Sequence, residues 1–307
     1  MVASEAGAIH AVLVDQRDRH IERGFYWENQ IAFVFNSEKM EGNPLTKEQT
    51  RSIFETNTVS GRAIPNDNVT ETRNHFRMFD FMLNTLDQPL TKKLMQDFHR
   101  ILKTGTADDL DNSDFVVGGW KLIENGVGGI QTTAPADVDG EIERLLRAYG
   151  SKLGKTYRDI VGFHTFFERI HPFQDGNGRV GRVIMFRECL ANDLVPFIVL
   201  DETKERYYQG LQVFNEQPNI FINYCEELVD QYLEAYSSLI PAKLLLPNFE
   251  KYLEHKPDHA KQAEQFLTSR EPSTKERFAD ARKSAKAHNA AHDKPGTTRN
   301  VAHNRDW

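Results

Sequence analysis

Cysteine is scarce in this chain: two residues in 307, Cys189 and Cys225. Both fall in helical apolar patterns, so they read as buried free thiols of a reducing compartment, not as a disulfide frame. Long hydrophobic runs are missing too. No stretch approaches the roughly 18 apolar residues a membrane helix needs, so no membrane partner is expected. The opening Met-Val-Ala-Ser-Glu-Ala-Gly has neither the basic start nor the apolar run of a signal peptide, and a cytoplasmic protein is the expectation. Basic charge is lacking in the body of the chain. The formal net charge is −7, yet residues 251–307 hold 12 Lys and Arg against 8 Asp and Glu, which leaves 26 against 37 elsewhere. An acidic body without a broad basic face argues against nucleic acid as a partner.

What is present supports a real core: 39% hydrophobic residues and 20 phenylalanines. Apolar residues recur at helical spacing through Ile31–Phe35, Val69–Leu86, Leu90–Leu102, Val138–Tyr149, Ile160–Ile170, Val180–Leu194, Glu202–Phe214 and Ile220–Leu239. The helix over Ile31–Phe35 is expected to stop near Gly42, with Pro44 behind it. Ile21 and Phe25 hint at an earlier helix that Gly24 weakens, and Thr46 with Gln49 predicts a capping box. Gly105–Gly119 reads as loop. Gly118–Pro135 is the one strand-like region, with Asn125-Gly126 as its hairpin turn. The fold class is therefore all-α with one small β-hairpin. Residues 241–307 read as a polar tail, with Ala260–His288 able to form a helix.

One stretch organises the rest: His171-Pro-Phe-Gln-Asp-Gly-Asn-Gly-Arg-Val-Gly-Arg182, a polar loop between two apolar helices. The loop ends where a helix begins, so free backbone N–H groups lie at the positive end of a dipole, suited to a phosphate. His171 is a candidate general base, with an ordinary pKa of about 6.5. Asp175 suits Mg²⁺, which takes few carboxylates and several phosphate oxygens. It also suits an Asx turn before Gly176. Gly176 and Gly178 permit close approach of the backbone, and Asn177 offers a donor; an ordinary turn would use the same three residues. Arg179 and Arg182 share one face of the helix start, where the dipole disfavours two cations unless an anion is near. His164 and Phe173 read as packing residues.

This stretch resembles the signature of the Fic family, H-P-F-x-[DE]-G-N-G-R-x-x-R, at every specified position. The resemblance covers roughly residues 25–240 and implies a Fic-type helical domain that transfers AMP from ATP to a protein hydroxyl, with Mg²⁺ or Mn²⁺ as cofactor. By that resemblance His171 deprotonates the target hydroxyl and Asp175 holds the metal. Gly176, Asn177, Gly178 and Arg179 contact phosphates, and Arg182 takes the γ-phosphate. A hairpin flap over Lys121–Ile130, through Lys121, Leu122, Ile123, Val127 and Ile130, would pair with an extended target segment. Tyr207 and Tyr208 would sit near adenine.

Ser37-Glu-Lys-Met-Glu41-Gly42-Asn43 resembles the family's inhibitory motif, [ST]-x-x-x-E-[GN]. Ser37 and Glu41 fall on one helical face, and Glu41 would pair with Arg182 and take the space of the γ-phosphate. The expected organisation is an N-terminal helical segment with the inhibitory helix (1–60), a catalytic core (61–240) and the polar tail (241–307). The expected activity is autoinhibited adenylylation of Ser, Thr or Tyr, auto-modification included. Removal of AMP through Glu41, a bifunctional enzyme and a non-catalytic scaffold are the alternatives. The resemblance also allows a homodimer, by analogy only.

Overall fold

A computed structural model describes residues 7–61, 64–127 and 130–240; the expected polar tail lies outside the described residues. The backbone is helical almost throughout. The order is α1 (Ala8–Asp18), α2 (Phe25–Met40), α3 (Lys47–Thr56), α4 (Asn66–Leu83), α5 (Lys92–Lys103), α6 (Ala107–Asp111), α7 (Val138–Gly150), α8 (Tyr157–Ile170), α9 (Asn177–Ala191), α10 (Lys204–Val213) and α11 (Pro218–Tyr236). The only ladder among the described residues joins β1 (Gly126–Val127) to β2 (Ile130–Gln131), antiparallel, with Val127 opposite Ile130.

Helix boundaries follow local chemistry. Thr46 and Gln49 form the expected reciprocal capping box, and Thr156 with Asp159 forms another before α8. Asn57 closes α3 in the left-handed region. Ile21 and Phe25 do not share a helix: Gly24 caps the start of α2, so the chain breaks there. Within the expected loop 105–119, Thr106 caps the short α6 by accepting from the Asp109 N–H.

The core is aromatic. Phe33, Phe79 and Phe186 meet at centroid distances of 5.3–5.4 Å, joining α2, α4 and α9. Phe25 and Tyr232 extend the cluster to α11. Helix α9 runs through this core with all but Gly178 and Ala191 buried. Even Arg187 is buried on it, with its guanidinium hydrogen-bonded to the Thr85 and Gln88 carbonyls and to Glu188. Glu188 in turn accepts from Tyr149 Oη at 2.9 Å. Both cysteines are buried free thiols, on α9 and α11. No helix among the described residues is long and apolar enough to cross a membrane.

Candidate active site

Helices α8 and α9 pack against each other and present the 171–176 loop between them. Its first residue, His171, caps α8 in the left-handed region (φ 52°, ψ 62°). Its last, Gly176, opens α9 at φ 78°, a conformation that favours glycine. Phe173 pins the loop from below, fully buried and stacked on His99 at 4.1 Å. Asn177 closes it from within: Oδ1 accepts from the Phe173 N–H and Nδ2 donates to the Phe173 carbonyl, both at 2.8 Å. Asn177 was expected to offer a donor to a ligand. Its amide is instead spent on the loop's own backbone.

His171 Nδ1–H donates to the Glu168 carbonyl at 3.3 Å, which leaves Nε2 as the lone-pair nitrogen. Burial pulls its pKa down, Lys121 adds to the fall, and the value comes to about 4. A neutral imidazole with Nε2 free is the form a general base needs near neutral pH.

Asp175 lies four residues on. Burial pushes its carboxyl up, but Arg179 and Lys103 outweigh that and hold it well below the usual range. Lys103 Nζ (2.8 Å) and Arg179 (3.0 Å) both engage Oδ2, and the side chain is 48% exposed. An ionised, half-open carboxylate fits a divalent ion that draws its other ligands from phosphate and water. No group of three or more metal-ligating side chains exists among the described residues.

The two arginines have different environments. Arg179, expected at the phosphates, is buried and donates to Glu38 (3.4 Å), Glu71 and Asp175. Glu71 and Asp175 also accept from Lys103, and Glu38 accepts from His75 Nδ1 at 2.8 Å. Sequence reasoning missed Glu38, Glu71, His75 and Lys103, which reach this network from α2, α4 and α5. Arg182 faces α2. Its Nε donates to Ser37 Oγ (2.9 Å) and its Nη2 to the Ser37 carbonyl (2.9 Å) and Glu41 Oε1 (2.6 Å). The same Glu41 oxygen lies over the α9 start: a methyl group added at Gly178 would overlap it. Gly42 turns the chain away at φ 83°, and Asn43, buried, binds Glu38, Thr72 and the Asn68 carbonyl.

The remaining expected site residues divide. Tyr208 is 43% exposed, with its hydroxyl near the Met40 carbonyl (3.4 Å). Tyr207 is buried and hydrogen-bonded to His164 at 2.7 Å, so it belongs to the core. Leu122 and Ile123 are exposed. Lys121 is buried, so it is an anchor and not an exposed docking contact. Asn125 and Gly126 are not the hairpin turn: Gly126 lies in β1, and Asn125 donates to the Phe173 carbonyl at 3.0 Å. The side chains of Val127 and Ile130 fall outside the described residues.

Residues 89–189 match the Fic/DOC family model. This chain carries a Fic/DOC family domain. A curated relative, "Protein adenylyltransferase Fic" of Culex quinquefasciatus, is 31% identical over 222 residues, covering 69% of this chain and 43% of the relative. The chain thus spans under half the length of that relative. Two solved Fic-domain structures share the fold. A Fic domain containing signaling protein from Bacteroides thetaiotaomicron has a TM-score of 0.61 at 20% identity, covering 75% of this chain and 96% of its own. A Fic family protein from Desulfovibrio desulfuricans has a TM-score of 0.58 at 23% identity, covering 78% and 76%.

Proposed function

We propose that this protein is an autoinhibited adenylyltransferase that moves AMP from ATP to a Ser, Thr or Tyr hydroxyl of a target protein. The observation that carries the reading is the Arg182–Glu41 ion pair at 2.6 Å, poised over Gly178 at the start of α9. Free N–H groups at that start suit a triphosphate, and Arg182 suits its γ-phosphate. While Glu41 holds Arg182, ATP binds with its α-phosphate misaligned for in-line attack, and alignment supplies much of phosphoryl-transfer catalysis. Ser37 and Glu41 therefore form the brake, with Gly42 and Asn43 closing the inhibitory helix. His171 Nε2 takes the proton of the target hydroxyl. Asp175 would hold Mg²⁺ or Mn²⁺, which when bound offsets the charge of the phosphates. The 121–130 segment is the target-docking flap, with Leu122 and Ile123 as its apolar contacts. Tyr208, the exposed member of its pair, is the adenine-side aromatic.

The partial exposure of the Glu41 side chain (28%) also favours a second reading, in which this carboxylate orients a water that removes AMP from a modified protein. One experiment tests both. Wild type, Glu41→Gly and Glu41→Gly/His171→Ala are incubated with α-³²P-ATP and Mg²⁺, and also with an adenylylated protein. Label on the single mutant, lost in the double, is the result expected for transfer with a brake. No label on any variant, with release of AMP by wild type alone, would favour the second reading.

A further inference from the structure

We propose that Lys121 is a positioning residue for His171, fixing the backbone on both sides of that histidine to the base of the hairpin. The proposal rests on the reading of His171 as the proton acceptor. Lys121 is 3% exposed. Its Nζ donates to Asn125 Oδ1 (2.7 Å), Thr132 Oγ1 (2.6 Å) and the Ile170 carbonyl (3.5 Å), so three donors meet three neutral oxygens. Its backbone N–H donates to the Pro172 carbonyl at 2.8 Å. Ile170 and Pro172 are the two neighbours of His171. One residue therefore grips the chain before and after the histidine.

The grip continues outward. Asn125 Nδ2 donates to the Phe173 (3.0 Å) and Gln174 (3.4 Å) carbonyls, and the Ile123 N–H donates to Gln174 Oε1 at 3.3 Å. Thr132, next to β2, donates to Asn125 Oδ1 at 2.7 Å. A target strand seated on the hairpin is thereby held in register with Nε2. His171 needs such support, because a non-glycine residue in the left-handed region is strained and persists only where its surroundings impose it.

The charge on Lys121 adds a second role. A buried ammonium is expensive to maintain, and a purely structural clamp has no need of one. Among the described residues no carboxylate hydrogen-bonds to this Nζ; burial pulls the lysine down to about 8, partly offset by Glu124. Of the charged groups that act most strongly on His171, Glu41 and Asp175 favour protonation and Lys121 opposes it. Burial is the main cause of the neutral imidazole, and Lys121 adds to it against the pull of two carboxylates and of the bond to the Glu168 carbonyl.

The test follows the His171 ring in the full chain by histidine-labelled NMR, its signal identified by loss in His171→Ala. In Lys121→Met the His171 titration midpoint is expected to rise by about one unit, with loss of the Nδ1–H tautomer signature; Lys121→Arg keeps both near wild type. In the Glu41→Gly background, Lys121→Met is expected to lower kcat about tenfold with KM for ATP unchanged, and to shift the acid limb of the rate profile upward with the NMR midpoint. Should Lys121→Met fail to fold, Thr132→Val, which removes one of the three oxygens but keeps the ammonium, is expected to show the tautomer and kcat changes with the titration midpoint near wild type, and an unmoved tautomer and kcat in it overturns the proposal. An unmoved titration and tautomer in a folded variant overturns the proposal. Absence of transfer by Glu41→Gly itself overturns the adenylyltransferase reading instead, and the ring titration still decides Lys121.

Discussion

Arg182 and Glu41 lie 2.6 Å apart across 141 residues of sequence, and Ser37 holds the same guanidinium through both its hydroxyl and its carbonyl. The three contacts are unequal. A hydrogen bond to a charged group contributes about 1.5–3 kcal/mol, and only Glu41 also brings a countercharge. Ser37→Ala is therefore expected to release transfer activity in part, several-fold over wild type and well below Glu41→Gly. Initial rates of labelling from α-³²P-ATP check the order; equal rates for the two variants would remove the countercharge from the account.

The loop clamp predicts a different response. Asn177→Ala deletes two buried hydrogen bonds at about 1 kcal/mol each and leaves the Phe173 N–H and carbonyl without these partners. A stability loss of about 2 kcal/mol is expected by urea denaturation. In the Glu41→Gly background, transfer should fall further than stability alone accounts for, because the clamp shapes the backbone proposed to receive the phosphates.

Phe173 separates packing from chemistry. Its ring is fully buried and stacked on His99. Phe173→Ala should cost roughly 3–5 kcal/mol, whereas Phe173→Leu should keep most of the stability. Thermal melts of the two variants make the comparison.

Acid should unfold this domain early. Burial, the largest cause in each case, depresses His99 and His164 to about 3 and His171 to about 4. Between those values and the ordinary histidine pKa near 6.5, the unfolded chain binds protons that the folded chain excludes. The histidine contribution is then fully present above about pH 6.5 and is lost as pH falls toward 4; burial lowers His10 and His75 as well, while Glu168, raised to about 8 by burial, holds a proton the unfolded chain releases and works against them. The slope near pH 5 should correspond to several protons. Replacing buried His164 by Gln should reduce that slope by about one proton, read from midpoints of denaturation across pH.

What was legible in the sequence was local. The twelve residues 171–182 carry their turn, their helix start and their charges in one run, and Ser37 and Glu41 carry their pairing in one turn of helix. The Thr46–Gln49 capping box was legible for the same reason. The carboxylates around Arg179 were not, because Glu38 and Glu71 come from α2 and α4 and look like ordinary helix charges until the helices pack. Lys103 was hidden likewise, at the end of α5. Asn125-Gly126 misled because its strong turn signal is local, while the Asn125 side chain is claimed by distant carbonyls of the 173–174 loop. Tyr207 and Tyr208 are adjacent in sequence, and only the pitch of α10 sends one inward and the other out.

Helix α9 begins at the 171–176 loop and, Gly178 aside, stays buried to Leu190. The part of the molecule that would receive the nucleotide is therefore the first turn of its best-shielded element, and it cannot fray without opening the core. Amide hydrogen exchange should show this as a steep gradient, slowest along 180–190 and fast in the exposed 122–124 segment, although Ile123 and Gln174 share a hydrogen bond. On the proposed function, a rigid floor beneath a yielding rim would let differently shaped proteins be accommodated while the bond-making geometry stayed constant.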